Sequence, residues 1–234
     1  MALIRNKKLA WFLENIILAL LIFLFWNTSV VKFFKILVVF LHESCHAAAA
    51  ILTGGHVKNI VVTSMESGVT FVSGGIPVFV YSAGYLGTAA IGSLLIAAGH
   101  TKRLKKIFFL VIAVSLLLST LFFVRNRFGM LYGLITGAVF LFLVIKDFKF
   151  TNYISDFTGM MCVMYSIYDF LDFIRSDTND ATILSRITGV PSVLIYSSWV
   201  IISLFMFYFA FSFSYRQIKK KFEAQRPASI PPST

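Results

Sequence analysis

Long apolar runs separated by short polar connections dominate the chain. Seven runs approach the length of a membrane-spanning helix, at residues 15–31, 36–55, 76–99, 107–124, 128–145, 157–174 and 187–215. No polar stretch between them is long enough to fold separately. The pattern predicts an all-α polytopic membrane protein with six or seven transmembrane helices, forming a single domain over residues 1–215.

The segment between the second and third spans follows a different pattern. Residues 56–75 hold two short runs rich in Val, Ile, Thr and Phe, with Glu66, Ser67 and Gly68 between them. Such runs around a glycine-containing turn predict a small β-hairpin, with Glu66 as a solvated turn residue. An ordinary loop outside the membrane is the alternative. Because open strand edges are not tolerated against lipid, we expect the hairpin at an interface or lining a water-filled cavity.

Composition agrees with a membrane protein. With 58% hydrophobic residues, 13% charged residues and a mean hydropathy of +0.84, the chain is no soluble globular domain. The net charge of +11 is concentrated in short connections, at residues 5–8, 101–106, 125–127 and 219–221. This distribution is typical of loops beside a lipid bilayer and argues against nucleic acid as a partner.

The end of the chain differs in composition from the rest. Residues 216–234 are basic and then rich in Pro and Ser, which predicts a disordered tail that begins at the membrane surface. For the surrounding bilayer we favour a bacterial cytoplasmic membrane over a eukaryotic organelle membrane.

The second apolar run contains the sequence His42-Glu43-Ser44-Cys45-His46. Two histidines four residues apart on a helix project from one face, so both imidazoles can reach a single zinc ion. Glu43 lies about 100° further round the helix, where it can act as general base for a water that the zinc activates. Ionisable groups at membrane depth are costly and usually functional. The motif therefore predicts a zinc hydrolase site inside the membrane.

Such a site needs a third protein ligand. Asp169 and Asp172 lie in the sixth run and share a helical face, so they need a metal, a proton or a basic partner such as Arg175. We take Asp169, the deeper residue, as the third ligand and Asp172 as the alternative. Asp177 and Asp180 belong to a polar loop, where we expect helix capping or solvation instead of ligation.

Three segments together resemble a known family. They are HESCHAAAAILTGG, the hairpin with its ESG turn, and YSAGYLGTAAIGSLL, which cover roughly residues 36–99. They are similar to the site-2 protease-like intramembrane metallopeptidases, in particular the compact branch without a peptide-binding domain. The resemblance implies one Zn²⁺ ion bound by His42 and His46, with Glu43 as the base. The better-known branch takes its third ligand from a Leu-Asp-Gly motif, whereas here Asp172 is followed by Phe173.

The resemblance also implies the reaction, which is hydrolysis of a peptide bond in or near a transmembrane segment of a membrane-protein or peptide substrate. The hairpin suggests how an unwound substrate is held, since an exposed strand edge can pair with it. We therefore predict substrate contacts at Ser67, Gly68, Val69 and Thr70. A membrane transporter is one alternative, although no internal repeat is visible. A catalytically inactive membrane protein with a buried metal site is the other.

Overall fold

The computed structural model describes the backbone of residues 2–99, 101–146, 148, 150–173 and 179–224, and the side chains of these except 2–8, 10, 11, 166–173 and 219–224. This part of the chain contains eight helices and two strands. In chain order they are α1 (Ala2–Leu24), α2 (Ser29–Leu52), β1 (His56–Val62), β2 (Gly68–Ser73), α3 (Pro77–Ala98), α4 (Lys102–Phe122), α5 (Arg127–Ile145), α6 (Thr151–Phe173), α7 (Asp180–Thr188) and α8 (Ser192–Ala224).

Five of the described helices are long and apolar enough to cross a membrane, namely α2, α3, α4, α5 and the Ser192–Ile218 part of α8. A shorter apolar stretch, Phe12–Leu24, lies in α1. The prediction of an all-α polytopic protein with a hairpin after the motif-bearing span is confirmed, and the five long apolar helices compare with the six or seven expected.

The last predicted run does not form one continuous helix. Gly189, with a φ of 75°, ends α7 in the left-handed conformation, and Pro191 stands immediately before α8. The short helix α7 is therefore a separate element. Helix α8 continues beyond Tyr215, as far as Ala224.

Helix α2 lies at the centre of the helix bundle. Inside the protein, 67% of its spanning segment is buried, against 28% for that of α8. The apolar residues around its middle, such as Leu37, Phe40 and Leu41, are completely covered by other parts of the chain. The histidine motif on α2 thus faces protein instead of lipid.

The hairpin runs back along α2. At its base, the Gly55 N–H donates to the Ala50 carbonyl near the end of α2 (2.7 Å). At its tip, the Glu66 carboxylate reaches Lys35 near the beginning of that helix. The helix rises about 22 Å over the 15 residues between these levels, and a seven-residue strand spans about 23 Å. The hairpin therefore lies beside a membrane-spanning helix and is no loop outside the bundle.

The two strands differ in what covers their outer edges. Ile60 of β1 exchanges two backbone hydrogen bonds with the α4–α5 connection, at residues 123 and 125 (2.9 and 3.2 Å). Asn126 then extends this pairing, because its side-chain amide donates to the Val62 carbonyl (2.7 Å) and accepts from the Val62 N–H (3.2 Å). Strand β2 pairs only with β1 in the described part of the chain, so its outer edge is open.

Candidate metal centre and peptidase site

His42 and His46 point from one face of α2 towards α3. Their Nε2 atoms lie 2.9 Å apart. The Nδ1 atom of His46 lies 2.6 Å from the Val80 carbonyl oxygen of α3, which accepts its proton. This hydrogen bond leaves the Nε2 lone pair of His46 available to a metal ion, as in many metal sites whose histidines are oriented by backbone carbonyls.

Asp180 completes this cluster. Its Oδ2 atom lies 3.2 Å from Nε2 of His42 and 3.1 Å from Nε2 of His46. When the imidazoles are protonated and no metal ion is bound, their charges and hydrogen bonds outweigh the burial of the carboxyl and hold the pKa of Asp180 well below its usual range. The potential ligand atoms of the three residues all lie within 4.8 Å of one another. Two imidazole nitrogens and one carboxylate oxygen form a donor set that suits zinc and leaves a fourth position open.

The start of α7 holds Asp180 in place. Asn179 caps the helix, since its side chain accepts the Thr182 N–H (3.0 Å) while the Thr182 hydroxyl accepts the Asn179 N–H (3.0 Å). Asp180 is then the first helical residue. A carboxylate at this position is favoured by the positive end of the helix dipole.

An aromatic cluster anchors α7 and supports His42. Tyr85 stacks on Trp199 (centroids 5.2 Å apart) and meets the His42 ring edge to face (4.8 Å). The indole N–H of Trp199 donates to the Ser82 hydroxyl (3.1 Å), which fixes the stack to α3. Ala181 and Leu184 of α7 pack into this same cluster, so Asp180 and His42 share one support.

Gly84 allows α3 to approach both histidines. A Cβ atom at this position would overlap Nε2 of His42 and would lie 2.5 Å from Nε2 of His46. Any side chain here would occupy the space in front of the two donor nitrogens. A glycine at this position therefore keeps the metal-binding space open.

The hairpin holds the Glu43 carboxylate. The Thr70 hydroxyl lies 2.6 Å from Oε2 of Glu43, to which it donates, and 3.1 Å from the Glu43 carbonyl oxygen. A Cβ atom on Gly68 would lie 2.7 Å from Oε1, so the strand approaches this carboxylate closely. Glu43 is only 6% exposed, and its orientation is set by the hairpin.

The two histidines, Glu43 and Asp180 line one cavity of about 490 Å³. Ser67, Gly68, Val69 and Thr70 of the hairpin also belong to its lining, and Tyr81, Tyr85 and Tyr165 add aromatic surface. The cavity therefore brings a possible metal centre, a carboxylate and an open strand edge together.

The comparisons with known proteins agree with this arrangement. The family model described as Peptidase M50B-like matches residues 15–210. The chain belongs to the Peptidase M50B-like family. Searches among curated proteins and among solved structures gave no match. Membership in the family confirms the resemblance to site-2 protease-like enzymes and makes the chain an integral membrane protein of a metallopeptidase family.

Within this family fold, the structure brings His42, Glu43 and His46 together with the four predicted hairpin residues. The side chains of Asp169 and Asp172 lie outside the described part of the chain, so their role as ligands stays a prediction.

The interpretation of Asp180 as a capping or solvated loop residue is wrong. Asn179 is the capping residue, and the Asp180 side chain is 20% exposed with its carboxylate against both imidazoles. Its sequence signal is weak, because an Asn-Asp pair before a short helix is typical of ordinary capping. Only the packing of α7 against α3 and α8 brings the Asp180 carboxylate to the imidazoles, and this packing cannot be read from the local sequence.

Proposed function

We propose that the protein is an intramembrane zinc-dependent endopeptidase that hydrolyses a peptide bond in or near a transmembrane segment of its substrate. The observation that carries this proposal is the convergence of His42, His46 and Asp180 in a cavity that also contains Glu43. The family supplies the reaction class. Location in a bacterial cytoplasmic membrane stays a prediction.

We assign one Zn²⁺ ion to His42, His46 and Asp180, because their donor atoms converge and suit this metal. A zinc ion bound there supplies Lewis acidity, which lowers the pKa of water and polarises the scissile carbonyl. The protein's own part is to fix the ligands. His46 is oriented by the Val80 carbonyl, and His42 by the ring of Tyr85.

Glu43 is the general base in this proposal. Its Oε2 atom accepts the Thr70 hydroxyl proton in a hydrogen bond, while Oε1 lies beside Gly68, where no side chain blocks it. The carboxylate takes one proton from the attacking water and passes it to the nitrogen of the leaving amine. The water oxygen first forms a C–O bond to the carbonyl carbon, and the C–N bond then breaks as the amine nitrogen receives that proton, so Glu43 is again ionised at the end.

The open edge of β2 is the proposed site for the substrate backbone. Both polar backbone groups of Ile60 point away from β2, towards the α4–α5 connection. In an antiparallel pair, its partner Thr70 must then direct its own N–H and C=O to the opposite side. Gly68, opposite Val62, likewise directs its N–H and C=O away from β1, because the polar backbone groups of Val62 are bound to Asn126. These groups can pair with an extended substrate segment along the cavity wall.

The test is cleavage of a single-span model substrate by the purified protein, with metal content measured on the same samples. We expect Glu43→Gln to keep one zinc per chain and to reduce turnover by about 10²–10⁴, since a general base contributes this much. Glu14→Gln, which removes another acid from an apolar helix, is the matched control and should cleave normally.

A second arm removes the metal. A chelator should abolish cleavage by the wild type, and added zinc should restore it. Cleavage at the wild-type rate by the zinc-loaded Glu43→Gln variant would contradict the assignment of the base. Cleavage that survives complete metal removal would contradict the metallopeptidase mechanism.

A further inference from the structure

A buried lysine fixes the tip of the hairpin to α2. Lys35 lies two helical turns before His42 and is only 5% exposed. Its Nζ atom is 3.0 Å from Oε2 of Glu66 and 4.6 Å from the centre of the Trp26 ring. A lysine inside a membrane-spanning helix thus has both an anionic and an aromatic partner, which is the environment that a buried cation requires.

Glu66 is held in an unusual backbone conformation. It has a φ of 59°, the one positive value among the non-glycine residues of the described chain. Such a conformation is strained for a residue with a side chain and persists where its surroundings impose it. The sequence predicts Glu66 as a solvated turn residue; it does lie in the turn, but its side chain is only 27% exposed and is bound to Lys35.

We propose that Lys35 is a positioning residue that sets the place of the substrate-binding edge of β2 over the catalytic centre. Lys35 binds Glu66 and so holds the hairpin tip against α2. Glu66 precedes Gly68 by two residues and Thr70 by four, so the restraint acts close to both. This inference rests on the proposed function, because it concerns how that same site receives its substrate.

The Gly55 N–H at the base of the hairpin and the Thr70 hydroxyl also bond to α2, but neither contact reaches the hairpin tip. The backbone bonds from residues 123–125, and those of Asn126, lie in the plane of the sheet and join the outer edge of β1. In-plane bonds resist sliding, but they oppose only weakly a tilt of the sheet towards or away from α2. The Lys35–Glu66 pair crosses between the sheet and the helix, so it restrains this tilt directly.

The tilt matters because the sheet face carries Thr70. Its hydroxyl donates to Oε2 of Glu43 at 2.6 Å, a contact that a shift of about 1 Å would break. The same movement would displace the backbone groups of β2 from the scissile bond. One ion pair at the tip therefore acts on both substrate binding and the orientation of the base.

A contribution to folding stability does not by itself explain why an ion pair occupies this position. Buried ion pairs add little net stability over apolar side chains of similar volume, because both charges lose their hydration. What apolar residues do not supply is a directional contact between one atom of α2 and one atom of the hairpin tip. This difference provides a test.

The test compares four variants with the wild type in the zinc-loaded protein. Lys35→Met removes the cation, the double variant with Lys35→Met and Glu66→Met replaces the pair by apolar side chains, and Lys35→Arg retains the charge. Lys32→Met removes a lysine from the same helix and is the matched control. The readouts are KM, kcat, zinc content and hydrogen exchange of the amides at residues 68–72.

We expect Lys35→Met and the double variant to raise KM about tenfold or more, which corresponds to one lost contact of ordinary strength. Amide exchange in β2 should accelerate, while zinc content stays at the wild-type level. Lys35→Arg should restore both KM and exchange, and Lys32→Met should match the wild type throughout. The double variant keeps the comparison valid if the single variant folds poorly.

An unchanged KM together with unchanged exchange in the folded double variant would overturn the proposal. Failure of Lys35→Arg to rescue either readout would do the same. A wild-type protein without cleavage would instead contradict the proposed function, and the exchange measurement would still decide whether Lys35 holds the strand.

Discussion

Oδ2 of Asp180 lies 3.1 Å from Nε2 of His46, although 134 residues separate the two in the chain. The contact joins the start of the short helix α7 to the centre of α2. Among the acids whose side chains the structure describes, it makes Asp180 the candidate for the third ligand.

We expect Asp180→Asn to lose most of its bound zinc, since a neutral amide is a poor replacement for a carboxylate ligand. Asp169→Asn and Asp172→Asn should keep about one zinc per chain. Metal analysis of the three purified variants checks this directly. Loss of zinc from Asp169→Asn, with zinc retained in Asp180→Asn, would restore the assignment made from the sequence.

Gly84→Ala should prevent zinc binding while the protein stays folded. The added methyl group would meet the donor nitrogens of His42 and His46, at 2.5 Å from the latter. Gly87→Ala is the matched control, because its methyl would crowd Cys45 between the same two helices without reaching an imidazole. Equal zinc loss in both variants would indicate that helix separation, and not blocking of the donor atoms, is responsible.

Thr70→Val should lower kcat with little effect on zinc content. The substitution preserves shape but removes the hydroxyl that donates to Glu43. Hydrogen bonds to charged groups contribute about 1.5–3 kcal/mol, so we expect a decrease in kcat of about tenfold to a hundredfold. Thr63→Val, at the outer end of the hairpin, should leave kcat unchanged. A Thr70→Val enzyme with normal turnover would show that Glu43 needs no support from β2.

Asn126→Ala should destabilise the hairpin without touching the metal ligands. It leaves both the N–H and the C=O of Val62 without their partner, at a cost of about 1–3 kcal/mol for each buried group. Asn126→Asp keeps the acceptor for the N–H but loses the donor to the carbonyl, so its stability should be intermediate. Thermal unfolding in detergent measures the order. Equal stability of all three proteins would contradict the edge-covering role of Asn126.

Local patterns predicted the parts of the site that depend on neighbouring residues. The spacing of His42 and His46 depends only on the helical repeat, and the hairpin follows from β-branched runs around a turn. Asp180 could not be predicted in this way, because capping and ligation use the same residue types at a helix start. Its role depends on how α7 packs against Tyr85 and Trp199, which are distant in the chain.

Lys35 shows a similar limit. From the sequence it resembles any basic residue near the beginning of a membrane span. Its partner Glu66 resembles any polar turn residue. The two charges meet because the hairpin is about as long as the part of α2 that lies beside it. That the two elements lie side by side depends on the three-dimensional path of the chain.

The aromatic support of α7 has a consequence for biosynthesis. The two histidines leave the ribosome early, but Asp180 follows 134 residues later, and Tyr196 and Trp199 later still. At about 5–20 residues per second, translation needs on the order of ten seconds to cover this interval. During that time the growing chain holds Glu43 and the imidazoles without the Asp180 carboxylate. Under the proposed mechanism, a chain at this stage lacks one metal ligand, so hydrolysis can begin only after α7 has joined the bundle.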